Sequence, residues 1–227
     1  MTSLKVLALD SSSSRLSVAL IRDSSTVCEK NIDTMIGHAG IILSVIDAVL
    51  SETSTVRDEI GLVAVGTGPG SFTGIRIGLA TAKGMATALS CPLAGIPTLD
   101  AMVKVALPAS MQIMPIVDAK KGEIFCAIYD KNGSRLTDFM NLRPSDIARL
   151  VAKDTLLLGN GCELYRDRLK SDLGESYHEA ATELWYAKAS IIGIMALDSP
   201  QNGRPSDVLP IYVRASDATL LLEKIRP

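Results

Sequence analysis

The chain has 227 residues, enough for one large fold or two compact lobes. It is 47% hydrophobic with a mean hydropathy of +0.26, but only 4% aromatic, and its net charge of −2 gives no global attraction to a phosphate backbone. A membrane span needs roughly 18 or more uninterrupted apolar residues, and Asp47, Arg76, Lys83, Asp118 or nearby Gly and Pro interrupt every apolar run. The start at Met1 lacks the basic, apolar and small-residue regions of a signal peptide, so the expectation is a cytoplasmic protein with no membrane role. Cys28, Cys91, Cys126 and Cys162 stand too far apart for zinc-ligand spacing or a disulfide framework, and read as reduced core thiols.

Apolar runs and turn residues predict strands at 4–9, 16–21 and 26–31, a helix over 38–50, a strand at 62–65 and a helix over 73–89. A similar order then recurs. Strands at 113–117, 124–129 and 136–140 precede a helix opened by Pro144-Ser145-Asp146, a strand at 155–158 and a helix near 163–169. Farther on, 180–197 is helical in pattern, 199–210 is a Pro/Gly-rich loop, and 215–225 reads as a closing C-terminal helix. Three meander strands followed by alternating helix and strand, twice over, imply an α/β protein of two lobes, each a mixed sheet flanked by helices. The expected division is 1–107 for the first lobe and 108–227 for a smaller second lobe with the closing helix.

Asp10 ends the first strand and opens a hydroxyl-rich turn, Ser11 to Arg15. A carboxylate at a strand tip beside hydroxyl and backbone donors can hold a metal-bound phosphate, while the same residues also make an ordinary Asx or Ser turn in a hairpin. The run Gly66-Thr67-Gly68-Pro69-Gly70-Ser71-Phe72-Thr73-Gly74 lies between a strand and a helix. It fits no Walker or dinucleotide register, and reads either as an anion site at a helix start, with Arg76 one turn in, or as a tight turn capped by Ser71 or Thr73. Asp118 mirrors Asp10 at the tip of a later strand, and Gly159-Asn160-Gly161 follows another, so Asp10, Ser12, Asp118 and Gly159 are the nucleotide-cleft candidates. His38 and His178 are the only histidines. Ile42 fills the fourth place after His38, which leaves a His-x-x-x-His metal site without its second ligand; no metal site and no catalytic residue is expected.

Taken together, Leu7-Ala8-Leu9-Asp10, His38, the run Gly68 to Gly78, Asp118-Ala119-Lys120 and Pro210-Ile211-Tyr212-Val213-Arg214 resemble the TsaB (YeaZ) family. The glycine run matches the family's Gly-Pro-Gly-Ser-Phe-Thr-Gly-x-Arg-x-Gly block residue for residue, and the other blocks fall in the family's order. Lys120 and Phe125 depart from it, standing where arginine and tyrosine are usual. The resemblance implies an actin-like ATPase fold of two ribonuclease-H-like lobes. It also implies a non-catalytic partner of TsaD, acting with TsaE, in transferring a threonylcarbamoyl group to N6 of an adenosine beside the tRNA anticodon. It implies no cofactor of the chain's own, ATP or ADP at the junction with the catalytic subunit, and tRNA met only through the complex.

A small-molecule kinase of the same superfamily is the alternative, since strand-tip carboxylates suit phosphoryl transfer, although the second half is barely large enough for adenosine-gripping insertions. A metalloprotease lacks its ligands. The helices over 38–51 and 73–89 are too apolar to be covered by one sheet, and the second carries the small-residue stripe Gly74, Gly78, Ala82 and Met85. With His38, Ile42, Gly68, Pro69, Gly70, Ser71, Phe72, Thr73 and Arg76, these residues form the expected loop and partner interface, a surface that in isolation could also make a homodimer.

Overall fold

The computed structural model describes residues 3–34, 37–151, 154–198 and 203–214. The first sheet contains β1 (Lys5–Asp10), β2 (Arg15–Arg22), β3 (Ser25–Asp33), β4 (Ile60–Gly66) and β5 (Leu93–Ile96) in the order β3-β2-β1-β4-β5. The meander β1 to β3 is antiparallel, and β4 and β5 add in parallel. The second sheet contains β6 (Gln112–Lys120), β7 (Glu123–Cys126), β8 (Met140–Leu142), β9 (Thr155–Leu158) and β10 (His178–Glu179) in the order β10-β9-β6-β7-β8. Counted within each lobe, both sheets share one topology, in which the first strand is central, with two antiparallel strands on one side and two parallel strands on the other. This is the expected α/β arrangement of two mixed sheets, each flanked by helices.

β1 is buried on both faces, which is why its sequence is a near-continuous apolar run. Leu7 and Leu9 point to one face, where α1 (Ile42–Glu52) and α2 (Phe72–Ala88) cover the sheet. Val6 and Ala8 point to the other, into a core shared with the second sheet. There α5 (Ala189–Leu197) lies close on β1 and β2, because Gly193 has no Cβ to meet Ala8 and Ile21. The start of α5 is capped from the first sheet: Ala189 N donates to Ser17 Oγ at 2.8 Å and Ser190 N to Glu29 Oε1 at 2.8 Å. α3 (Thr98–Val105) leads from the first sheet to β6, and α4 (Asn160–Leu173) packs on the second sheet.

Several expectations change. The division at 107/108 does not separate the packing units, because α5 and Val208 belong to the first lobe's surroundings. The helix over 180–197 begins only at Ala189; before it the chain forms β10 and a 3-10 turn, Thr182–Leu184, with Trp185 Nε1 donating to Ala180 O. The helix opened by Pro144 is a 3-10 helix, Pro144–Arg149, and the strand expected at 136–140 is the short β8. β5 and α3 had no signal, since four residues and eight residues are too short to display a period. The closing helix at 215–225 lies outside the described residues. Among the described residues no helix is long and apolar enough to cross a membrane.

Candidate functional site

The two strand-tip turns carry the nucleotide-cleft candidates, and the first is closed by its own residues. Asp10 is 2% exposed, and both its oxygens accept intrachain donors. Oδ1 receives Ser12 N at 3.1 Å and Ser12 Oγ at 2.8 Å, and Oδ2 receives Thr98 Oγ1 at 3.3 Å. Thr98 Oγ1 in turn accepts Gly68 N at 3.0 Å. Gly66 lies against the carboxylate with no room for a Cβ. Burial pushes the Asp10 carboxyl above its ordinary range, against the lowering effect of the hydrogen bonds.

The glycine run is the lid on this turn. Ser71 N donates to Ser12 O at 2.6 Å, and Ser11 Oγ donates to Gly74 O at 2.8 Å. A Cβ at Gly70 would collide with Ser12 O, one at Gly74 with Ser11 O, and one at Gly78 with Ser11 Oγ. Gly68 has φ 95°, in the left-handed region, and precedes a cis Pro69. The glycines therefore let α2 start directly on the Ser11-Ser12 backbone, and Ser71 Oγ, accepting Gly74 N at 3.2 Å, caps the helix. The anion-site alternative loses its space, because the serine turn occupies the helix start.

His38 is 6% exposed and closes the turn from the other side, its Nε2 2.7 Å from Ser13 O. That bond makes Nε2 the protonated nitrogen, and leaves Nδ1 buried without a partner. His38 is thus part of the turn and not an exposed interface residue.

The second strand tip has its own local bonds. Asp118 Oδ1 accepts Lys120 N at 2.8 Å, Oδ2 pairs with Lys120 Nζ at 2.7 Å, and Asp118 N donates to Asn160 Oδ1 at 3.1 Å. Gly159, at φ 113°, has its missing Cβ directed at Ile116 O, so α4 starts hard against β6 as α2 starts against β1. Asp10 and Asp118, read as matching strand-tip carboxylates, are each bonded inside their own lobe.

The interface candidates divide by exposure. Ile42 is 2% and Ala82 0% exposed, and Gly74 and Gly78 are buried against Ser11, so the stripe read as a partner surface packs inward on the first sheet instead. The reason is helix phase: Ile75, Leu79, Ala82 and Ala86 form the apolar stripe that α2 buries, and Gly74 and Gly78 flank it. Met85 is half-buried against the same core. The outward face of α2 carries Thr73, Arg76, Ala80, Gly84 and Ala88, and α1 presents Leu43, 61% exposed, with Ala48. Leu43, Ala80 and Gly84, which the sequence reading did not single out, are exposed instead. The signal was available in the stronger apolar period of α2, which fixes the opposite side as solvent-facing. Phe72 and Arg76 remain at the surface, the guanidinium 3.7 Å from the Phe72 ring centre and hydrogen-bonded through Nε to Tyr212 Oη at 2.9 Å. A shallow hollow of about 500 Å³ lies at the far end of α2, between Cys91, Pro92 and Arg204.

The family model for TsaD, tRNA N6-adenosine threonylcarbamoyltransferase, matches residues 33–184. The chain is 27% identical over 175 residues to the tRNA threonylcarbamoyladenosine biosynthesis protein TsaB of Bacillus subtilis, covering 74% of this chain and 76% of that protein. It is 32% identical over 139 residues to TsaB of Escherichia coli, covering 57% of this chain and 58% of that one, so that alignment spans little more than half of the relative. YeaZ from Pseudomonas aeruginosa has the same fold, with a TM-score of 0.78 at 23% identity over 92% of this chain and 99% of that chain. TsaB of Buchnera aphidicola subsp. Schizaphis graminum is 32% identical over 170 residues, covering 69% of this chain and 78% of that protein, and with this match the chain belongs to the TsaB (YeaZ) family, within the reach of the TsaD family model.

Proposed function

We propose that this chain is a non-catalytic subunit of the cytoplasmic assembly that places a threonylcarbamoyl group on N6 of adenosine in tRNA, working beside TsaD and TsaE. The observation that carries this reading is the closed first-lobe turn. Asp10 has both oxygens engaged by Ser12 and Thr98, and the Gly70 to Gly78 stretch and His38 occupy the surrounding space. A phosphoryl-transfer enzyme of this fold needs that carboxylate open to metal-bound phosphate; here it is a structural acceptor. The kinase alternative is disfavoured by the same feature. Any ATP or ADP is then held where this chain meets TsaD, and tRNA is reached through the complex.

The partner surface in this reading is the outward face of α1 and α2, where Leu43, Ala80, Gly84 and Ala88 allow another chain's helices to approach closely. The same face would make a homodimer when the partner is absent. The test is depletion of the protein followed by mass spectrometry of threonylcarbamoyladenosine in bulk tRNA. A fall restored by the wild-type gene is the expected result, and an unchanged level overturns the reading. Calorimetry of the isolated protein with ATP and magnesium should show no binding; tight binding with hydrolysis would favour the kinase.

A further inference from the structure

The Pro210 to Arg214 block has no part in the closed turn, yet it is fastened to both lobes. Val208 is buried beside Gly95 of β5, where an added Cβ would meet Val208 Cγ1 at 2.6 Å. Ile211 N donates to Thr67 O at 2.8 Å, and the Ile211 carbonyl lies over Gly68. Tyr212 stacks on Phe72 with ring centres 4.7 Å apart and accepts the Arg76 Nε hydrogen bond at 2.9 Å. The chain then reaches the other lobe, where Arg214 Nη1 donates to Glu123 Oε2 at 2.8 Å. Glu123 opens β7, and the same oxygen accepts Asn141 Nδ2 from β8 at 2.8 Å.

We propose that residues 208–214 are a strap that couples the β7 edge of the second lobe to the glycine run and first turn of α2, holding both as one rigid surface. The two ends differ in kind. At the first lobe the strap is held by a backbone hydrogen bond, a buried valine and an aromatic stack, whereas at the second it depends on the Arg214–Glu123 ion pair. That pair is partly shielded, with side chains 23% and 32% exposed, and bonds from Asn141 and Arg214 hold the Glu123 carboxyl below its usual range, so it is ionised at neutral pH. The strap positions the Phe72–Arg76–Tyr212 cluster at the edge of the outward α2 face. Its value to a partner rests on the subunit reading above; the coupling itself does not.

The experiment is hydrogen exchange on the full chain for wild type, Arg214→Gln, Glu123→Gln and the double variant, followed by mass spectrometry of peptides covering 66–76 and 208–214. Loss of a charged hydrogen bond should speed exchange by about tenfold in each single variant, both at Ile211 and in the distant glycine run. The double variant should exchange no faster than the singles, because both remove one interaction. Circular dichroism and Trp185 fluorescence verify the fold. Arg214→Lys, which keeps a charge for Glu123, should recover slow exchange and separates strap release from general loosening. Unchanged exchange at 66–76 in Arg214→Gln overturns the coupling. In titrations with TsaD, a folded Arg214→Gln chain should bind more weakly than wild type, and equal binding despite faster exchange overturns the positioning role. If wild type itself does not bind TsaD, the subunit reading fails, while the exchange result still decides the strap.

Discussion

Two glycines of one helix sit in opposite surroundings. A Cβ at Gly74 would collide with the Ser11 backbone, whereas Gly84 has nothing within 4 Å of its Cβ position. Gly74→Ala should therefore lower stability by about 1–3 kcal/mol through overpacking against a rigid backbone, and Gly84→Ala should raise it by about 0.5–1 kcal/mol through helix propensity. Urea unfolding of both variants checks the pair of signs. Asp10 gives a pH-dependent test. Its folded pKa is raised, so ionisation opposes folding: the contribution is fully present below the ordinary pKa and is lost as pH rises through the folded value. Asp10→Asn removes this titration, and its stability should fall less steeply than wild type as pH rises above the ordinary carboxyl range. An identical slope in the two proteins would show that Asp10 stays ionised in the fold.

At the scale of elements, α2 is asymmetric about its axis. One side is packed on the first sheet, with Gly74 and Gly78 against Ser11 and Ala82 fully buried; the other is outward, with Ala80, Gly84 and Ala88. Ala82→Arg places a cation in the core between α2 and the first sheet, and should prevent folding. Ala80→Arg and Leu43→Arg change only exposed positions, and should leave the circular dichroism spectrum unchanged while abolishing co-elution with TsaD. Co-elution of a folded Leu43→Arg and a folded Ala80→Arg variant would move the contact elsewhere. The glycine run itself was legible as residues but ambiguous as geometry. A helix start with free N–H groups and one seated on a serine turn have the same local sequence, and the difference lies in Ser11 and Ser12, some sixty positions earlier.

Across the whole molecule, the lobes share one core on the α5 side of the first sheet, where Val6, Ala8 and Ile192 belong to the same cluster as Ile113, Ile116 and Leu157. Tyr129 adds a polar link: it is 1% exposed and donates from Oη to Asp100 Oδ1 on α3 at 2.6 Å. Burial, with the Asp100 charge second, raises its pKa well above the ordinary phenol value, so it remains a donor throughout the physiological range. Tyr129→Phe should cost about 1–3 kcal/mol by leaving Asp100 short of a donor, and unfolding should remain one transition followed equally by fluorescence and circular dichroism. Two separated transitions would mean that the lobes fold as independent units.

By itself the sequence determined the doubled order of strands and helices, the mixed sheets and the family blocks, because these depend on local periodicity and on residue identity at fixed spacing. It also marked the Asp10 to Arg15 turn, His38 and the glycine run, but not Thr98, which closes the Asp10 carboxylate from α3. Only the tertiary structure decided what those residues do: whether Asp10 is open or engaged, which stripe of α2 faces outward, and that α5 returns to the first lobe. Burial and hydrogen-bond partnership are properties of pairs far apart in the chain, such as Ser12 with Ser71 or Glu29 with Ser190, and no local pattern encodes them.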